Sequence, residues 1–321
     1  MKILVVGGAG YIGSHVCKKL IKAGHQVRIF DNLSSGLKEN ISPAAEFILG
    51  DILNPEQLAA ALTDCEAVIH LAAFKAAGES MVKPEKYSIN NLVGTINLLN
   101  ACTAAGITKL IFSSSAAVYG EPQYLPIDEK HPTEPINYYG FTKLEIERLL
   151  KWYDQLKGLK FAALRYFNAV GYDSEGELKG LEKNPANLLP IVMETAGGLR
   201  PYLEIFGDDY DTKDGTCLRD YIHVDDLADG HLKALQYLID KNESLIANLG
   251  TSQGLSVKEI VAEAEKQLGR AIPVKIGPRR AGDPAQLYAD SRLANELLGW
   301  QPQFSDLENI IKTTINAYNL R

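Results

Sequence analysis

The chain has 321 residues, 46% of them hydrophobic, and a formal net charge of -7 at pH 7. That is enough apolar material for a sizeable core, in one large domain or two unequal ones. The acidic balance argues against a nucleic-acid-binding surface while leaving room for a local basic pocket for phosphates, so small molecules are the expected partners. Cys17, Cys65, Cys102 and Cys217 lie far apart with no paired metal-ligand spacing, which predicts buried or incidental free thiols and no metal. Free thiols suit a reducing cytoplasm. Residues 3–6 form an apolar strand with no basic and apolar leader, and no apolar run is long enough to span a bilayer. A soluble cytoplasmic protein with no membrane partner is expected.

The first strand, residues 2–6, runs into Gly7-Gly8-Ala9-Gly10-Tyr11-Ile12-Gly13 and then an amphipathic segment over 14–23. Glycines at 7, 10 and 13 let the backbone turn sharply, approach a pyrophosphate and pack helix on strand, while the helix N-terminus offers N–H groups to the anion. The second strand, 26–30, ends in Asp31-Asn32, with Asp31 lying 18 positions after Gly13. A carboxylate there can accept hydrogen bonds from a ribose and repel a 2′-phosphate, favouring NAD over NADP; a capping or turn role is the alternative. Strands are expected near 46–49, 67–71, 109–112 and 161–164, with helical segments near 55–62, 84–105 and 138–156. This alternation predicts an α/β fold with a doubly wound parallel sheet of Rossmann type. Ligands of such sheets lie beyond the carboxyl ends of the strands, which directs attention to Asp51-Ile52, residues 72–75 and Ser113-Ser114-Ser115.

From Asn168 the pattern loosens into a stretch rich in Gly, Asp, Tyr and Pro, with a helix expected over 186–196. Short strands near 203–206, 221–224, 245–249 and 274–276 alternate with helices near 225–239, 257–268 and 292–298. The expected division is a dinucleotide-binding domain over 1–168, to which some later segments return, and a smaller, interleaved α/β lobe over 169–321.

Tyr139 and Lys143 are four apart at the start of the amphipathic segment that carries Leu144, Ile146, Leu149 and Leu150, so they share one helical face. A tyrosine that acts as a base near neutrality needs its pKa lowered by roughly 3 pH units, about 4 kcal/mol, which an ammonium and a nicotinamide cation could provide together. Alone the pair reads better as a surface contact on an amphipathic helix, and Ser115 alone reads equally as a polar strand exit. Together they suit proton removal from a secondary alcohol beside a bound nicotinamide, with Ser115 as orienter, Tyr139 as acid/base and Lys143 as electrostatic tuner. His70 and His223 lie in apolar strands and are expected to be core histidines.

At these residues the chain resembles the extended short-chain dehydrogenase/reductases, and among them the nucleotide-sugar 4-epimerases. The resemblance runs through residues 7–15, Asp31-Asn32-Leu33, Gly50-Asp51-Ile52, 75–80, Asn90-Asn91, 112–120, 139–143 and 164–168. It continues through 187–190, 205–210, 215–226 and 279–283. It implies a tightly held NAD, reduced and reoxidised within one turnover, and inversion at C4 of UDP-glucose and UDP-galactose through a 4-keto sugar. It implies that Gly7, Gly10, Tyr11, Ile12 and Gly13 hold the pyrophosphate, Asp31 and Asn32 the adenosine ribose, and Asp51 and Ile52 the adenine. Ala72, Lys75, Asn90, Ser113, Tyr139, Lys143 and Phe167 complete the implied cofactor contacts. The implied nucleotide-sugar positions are Ser115, Tyr139, Asn168, Asn187, Leu188, Arg219, Arg280, Asp283 and Leu287. Arg219 and Arg280 are the chemically sensible clamps for UDP, with surface ion pairing the alternative, and Asp283 would bind the uracil-side ribose or cap a turn. A homodimer through the helices after Pro84 and Tyr138 is also implied.

Two positions depart from the pattern. Leu287 stands where epimerases of this type place tyrosine, cysteine or serine beside the sugar, which leaves UDP-N-acetylhexosamines open as alternative or additional substrates. Ala73-Phe74 precedes Lys75 where related chains often have Gly-Leu. A 4,6-dehydratase would need Asp-Glu where this chain has Ser114-Ser115. A non-catalytic NAD-binding sensor could dispense with Tyr139 or Lys143, and both are present.

Overall fold

The computed structural model describes residues 1–178, 180–182, 187–280 and 284–320. Its first half alternates strands and helices: β1 (Lys2–Val6), α1 (Tyr11–Lys22), β2 (Gln26–Asp31), β3 (Glu46–Leu49), α2 (Pro55–Ala61) and β4 (Ala67–His70). There follow α3 (Ala77–Val82), α4 (Pro84–Tyr87), α5 (Gly94–Ala104), β5 (Lys109–Ser115), α6 (Tyr138–Lys157) and β6 (Lys160–Tyr166). The second half runs β7 (Asn168–Val170), α7 (Leu188–Ala196), β8 (Leu203–Phe206), β9 (Leu218–Arg219), β10 (Tyr221–His223), α8 (Val224–Lys241) and β11 (Leu245–Leu249). It ends with β12 (Leu255–Ser256), α9 (Val257–Leu268), β13 (Val274–Gly277), β14 (Gln286–Leu287), α10 (Arg292–Leu298) and α11 (Leu307–Ala317).

Seven strands form one sheet in the order β11-β6-β5-β4-β1-β2-β3. Every pairing in it is parallel, from Val6 opposite Phe30 and His70 to Leu249 opposite Tyr166. Alternate residues of β1 serve two cores, as the two-residue period of a strand requires. Ile3 and Val5 pack with Val16 and Leu20 of α1 and Leu227, Leu235 and Leu238 of α8. Leu4 and Val6 pack with Leu58 of α2, Leu98 and Leu99 of α5, and Ile146 and Leu150 of α6. Both faces are covered, which explains the near-continuous apolar runs of these strands. The order reverses between β1 and β4, and the crevice beyond their carboxyl ends is where such sheets bind ligands.

Residues 224–249 return to this sheet as α8 and β11, while α7, α9, α11 and β8 enclose a separate core around Val192, Met193, Ile205, Ile260 and Ile311. Among the described residues, no helix is long and apolar enough to cross a membrane.

Several sequence expectations need correction. Helix α1 starts at Tyr11, because Gly10 is already its extended N-cap; it does not wait for Ser14. The helical stretch 84–105 is interrupted over Ser88–Val93 by a widened, π-type turn that carries Asn90 and Asn91. Strand 221–224 ends at His223, where the imidazole accepts the Asp225 N–H and starts α8 at Val224. Helix α7 is described from Leu188, and the expected start at 186 lies outside the described residues. Helices α3 and α11 were not expected.

Candidate active site

The turn after β1 is built for close approach. Gly7 has φ +87°, and a Cβ on it would lie 2.7 Å from the Ala72 backbone nitrogen. A Cβ on Gly13 would lie 2.2 Å from the Gly7 carbonyl oxygen, so α1 can pack against β1 only with glycine there. A Cβ on Gly10 would meet only that same oxygen within 4 Å, leaving a bare backbone surface at the start of the helix. No side chain caps the N-terminus of α1. A diphosphate fits this cradle: the helix end supplies partial positive charge and N–H donors, and no side chain stands in the way.

Asp31, at the end of β2, anchors the cradle. Its carboxylate accepts the N–H of Ala9 at 3.0 Å and that of Leu33 at 2.8 Å, holding Leu33 at φ +57°. Asn32 donates to the Asp51 carboxylate at 2.9 Å, so the two residues expected at opposite ends of an adenosine meet directly. Asp51 also accepts from the Leu53 N–H, and Ile52 is buried against Gly94. Ala72 is tied to β1 through the Val6 carbonyl. Lys75 ion-pairs with Glu182, and Asn90 donates to Asn91 at 2.9 Å. Tyr11 donates its hydroxyl to the Gly171 carbonyl, which draws the start of the second half over the glycine turn.

Tyr139 enters α6 in its first turn, one position after Tyr138 and below the N-cap Asn137, whose side chain accepts the Gly140 N–H at 2.8 Å. The helix meets the turn after β5 so closely that the Ser115 side chain acts directly on the Tyr139 phenol. Ser115 itself caps that turn by accepting the Ala117 N–H at 3.2 Å. Lys143 lies one helical turn deeper, buried, with its ammonium donating to the Ser113 carbonyl at 2.6 Å and standing 5.7 Å from the Tyr139 ring centre. Ser113 also shares a short hydrogen bond with the Tyr166 hydroxyl, and Phe167 packs beside Ala116 and Val118.

Burial pushes the Tyr139 phenol up to about 12, opposed by the Ser115 side chain, and pushes Lys143 down to about 7, opposed by the charge of Glu147. Lys143 spends its shortest contact on the Ser113 carbonyl, and Ser115 is the group that acts to lower the Tyr139 phenol. The phenol of the protein alone is a protonated acid, and the lysine is poised between charge states near neutrality.

A cavity of about 480 Å³ opens between β7, β8, β9 and α7. Asn168, Asn187, Leu188, Arg219 and Arg280 all line it, so the structure gathers five of the expected nucleotide-sugar positions. Arg219 donates to the carbonyls of Leu218 and Pro284, each at 2.8 Å, and Arg280 stacks over Phe206 at 5.5 Å. Asn168 bonds through its side-chain amide to the Asp220 carbonyl. Leu287 is absent from the cavity wall; it packs with Phe167 against Ala116 and Leu144, and its carbonyl accepts the Asp220 N–H. Asp283 lies outside the described residues.

Sequence reading missed three groups. Asn91, buried, holds both backbone polar groups of Phe74 and reaches Thr142 on α6; the Asn90-Asn91 motif was the signal, but no role was assigned to Asn91. Tyr202 and Phe206, just before and at the end of β8, and Tyr221 of β10 line the cavity. Glu147 and Arg165 form a buried ion pair behind Lys143. His70 and His223 are buried and bonded to Thr95 and Thr313, as core histidines are. Among the described residues no disulfide joins the cysteines, of which Cys17, Cys65 and Cys102 are buried, and no cluster of three or more candidate metal ligands occurs.

A parallel sheet of this order with a side-chain-free glycine cradle at its switch point defines a dinucleotide-binding protein of Rossmann type. The NAD dependent epimerase/dehydratase family matches residues 3–250. The UDP-glucose 4-epimerase of Lacticaseibacillus casei is 46% identical over 319 residues, covering 98% of this chain and 96% of the relative. The UDP-glucose 4-epimerase of Brucella ovis, solved in complex with NAD, superposes with a TM-score of 0.97 at 46% identity over 100% of this chain and 99% of that one. That of Bifidobacterium longum, in complex with NAD+ and UDP, gives 0.92 at 38% identity over 99% and 98%. The chain belongs to the NAD dependent epimerase/dehydratase family.

Proposed function

We propose that this protein is a UDP-glucose 4-epimerase, interconverting UDP-glucose and UDP-galactose with a resident NAD. The observation that carries the reading is the meeting of the Ser115 hydroxyl and the Tyr139 phenol above buried Lys143, at the ligand edge of the sheet. The nearly full-length identity to UDP-glucose 4-epimerases supports the same choice of sugar.

The glycine turn and the α1 N-terminus would hold the NAD diphosphate, with Tyr11 and Ile12 in the first helical turn. Asp31 and Asn32 would hold the adenosine ribose, and Asp51 and Ile52 the adenine. Ala72, Lys75, Asn90, Ser113 and Phe167 would line its nicotinamide half. When bound, NAD supplies reversible two-electron oxidation at C4 of the hexose. With the cation of bound NAD and the Lys143 ammonium beside it, the Tyr139 phenol would first release its own proton to solvent; its Oη would then take the C4 hydroxyl proton, with Ser115 bridging and orienting the hydroxyl, and give it back after the 4-keto sugar has turned over. In its protonated form Lys143 supplies the positive charge that favours the phenolate of a buried tyrosine.

The cavity beyond Asn168 takes the UDP, with Arg219 and Arg280 on the diphosphate and Asn187 and Leu188 at the start of α7. A clamp on the nucleotide with no lock on the hexose is what inversion of one carbon requires, because both faces must be presented in turn. On this reading residues 1–168, with α8 and β11, form the NAD-binding domain, and the remainder of 169–321 is mainly the UDP-sugar lobe. We also infer a cytoplasmic homodimer joined through α5 and α6, supported by the buried thiols of Cys17, Cys65 and Cys102 and by Val93, Trp152 and Leu156, which are 46%, 58% and 67% exposed.

The test is incubation of the purified protein, with no added NAD, with UDP-galactose and separately with UDP-N-acetylgalactosamine, followed by NMR. Conversion of the first alone supports the proposal, and conversion of both makes the enzyme dual in specificity. Failure with both, persisting after NAD is added, overturns it.

A further inference from the structure

Behind Lys143 lies a buried ionic assembly that the reaction scheme above does not use. Tyr139, Lys143 and Glu147 follow one another at four-residue intervals along one face of α6. Glu147 is 1% exposed, Lys143 2% and Arg165 4%. The Glu147 carboxylate accepts the Ser114 hydroxyl at 2.6 Å and Arg165 through Nε at 2.9 Å and Nη2 at 2.5 Å. Arg165 also donates to the Tyr119 hydroxyl at 3.0 Å, which donates to Asn248 at 2.6 Å. A charge pair with this burial is costly to place, and replacing such pairs by apolar residues often leaves stability unchanged or improved. Its position therefore calls for a role other than stability.

Resting on the Tyr139 and Lys143 roles proposed above, we propose that Glu147 is a positioning residue: locked by Arg165 and Ser114, it keeps Lys143 charged behind Tyr139 and fixes α6 against the end of β5. Ser114 sits between Ser113, whose carbonyl receives Lys143, and Ser115, which meets Tyr139, so one carboxylate ties the strand that orients to the helix that reacts. Among the described residues, the other titratable groups on the elements packed around α6 do not supply Lys143 with a negative charge. His70 of β4 is bonded to Thr95 and pushed down to about 3 by burial, so it is neutral. Tyr166 of β6 bonds Ser113 and Tyr87 of α4 bonds Glu79, and both phenols are raised by burial. Glu79 of α3 is spent on Lys83 and Lys86, and Asn91 and Thr142 are uncharged. Glu147 acts on Lys143 against the effect of burial.

The test is an NMR titration of lysine labelled with 13C at Cε in the enzyme as purified with its cofactor, the Lys143 signal being assigned by its loss in Lys143→Met. In Glu147→Gln the Lys143 titration should move at least about one pH unit lower, and the alkaline limb of kcat should move with it while KM for UDP-galactose stays unchanged. Glu147→Asp should restore both. If Glu147→Gln does not fold, Glu147→Gln with Arg165→Met, which leaves no unpaired guanidinium, is read in the same way. An unmoved Lys143 titration overturns the proposal, as does a limb that stays in place while the titration moves. Failure of both variants to fold where Lys143→Met folds makes the pair structural only and also overturns it. A wild-type enzyme that converts no nucleotide sugar, with the titration shift intact, would refute the reaction and leave the positioning standing.

Discussion

Gly140 lies against the carbonyl of Ala117 so closely that a Cβ on Gly140 would stand 2.3 Å from that oxygen. Ala117 is two residues beyond Ser115 and Gly140 is next to Tyr139, so this contact sets the distance between hydroxyl and phenol. Gly140→Ala must push α6 away from the turn after β5. Overpacking of this kind costs about 1–3 kcal/mol, but the larger effect should be on kcat, since the displaced group is the one that exchanges the proton. Thermal melts beside epimerisation rates check this: a normal kcat in the variant would mean that the contact does not position Tyr139.

Tyr139→Phe removes the hydroxyl that meets Ser115 and leaves the ring in its packing. The expected loss in kcat is about 10²- to 10⁴-fold, the usual worth of a positioned acid/base group. NAD content and UDP affinity should hold, because neither the glycine cradle nor the cavity arginines depend on the phenol. Rate measurement with quantitation of bound NAD in one preparation separates the two effects.

The sheet was legible because burial on both faces imposes apolar runs bounded by turn residues, and the glycines at 7, 10 and 13 declared the cradle by their place between strand and helix. The start of α1 was not, since its N-cap Gly10 carries no side chain to signal it. Strands β9, β12 and β14 are two residues long, too short for any alternation to register, yet they hold Arg219 and Leu287 side by side. Helix α11 did carry a pattern in Leu307, Ile310, Ile311 and Ile315, and Asp306 caps it; the signal was present and overlooked. Tyr139 and Lys143 were visible as a pair, but their electrostatics depend on burial and on Glu147, whose partner Arg165 is 18 positions away on another element. A charge on an amphipathic helix reads as solvent-facing until the tertiary structure covers it.

Lys143 makes stability depend on pH in a definite direction. Its folded pKa is about 7 against an ordinary value of 10.5. Between those values the unfolded chain holds the proton and the folded protein has released it, so stability rises with pH through the window. Below about pH 7 both states are protonated and the folded protein bears the full cost of burying the ammonium. Denaturant midpoints of wild type and Lys143→Met from pH 6 to 10 isolate the contribution: their difference should shrink as pH rises. A constant difference would mean that Lys143 keeps its proton throughout.

Arg219 stands at the cavity with its guanidinium anchored on the carbonyls of Leu218 and Pro284, while β9 sets it beside Leu287. An arginine held by two carbonyls has a fixed plane, which is the condition for paired hydrogen bonds to a diphosphate. Arg219→Ala should weaken UDP binding by about 10- to 100-fold, the worth of roughly 1.5–3 kcal/mol for a charged hydrogen bond. Arg219→Lys should recover only part of it, since an ammonium keeps the charge and loses the fork. Calorimetry with UDP checks both variants against wild type. Because Tyr139 is not on the cavity wall, kcat at saturating UDP-galactose should fall far less than the affinity. An unchanged UDP affinity would move the clamp to Arg280, which faces the same cavity from the loop after β13 and rests on Phe206.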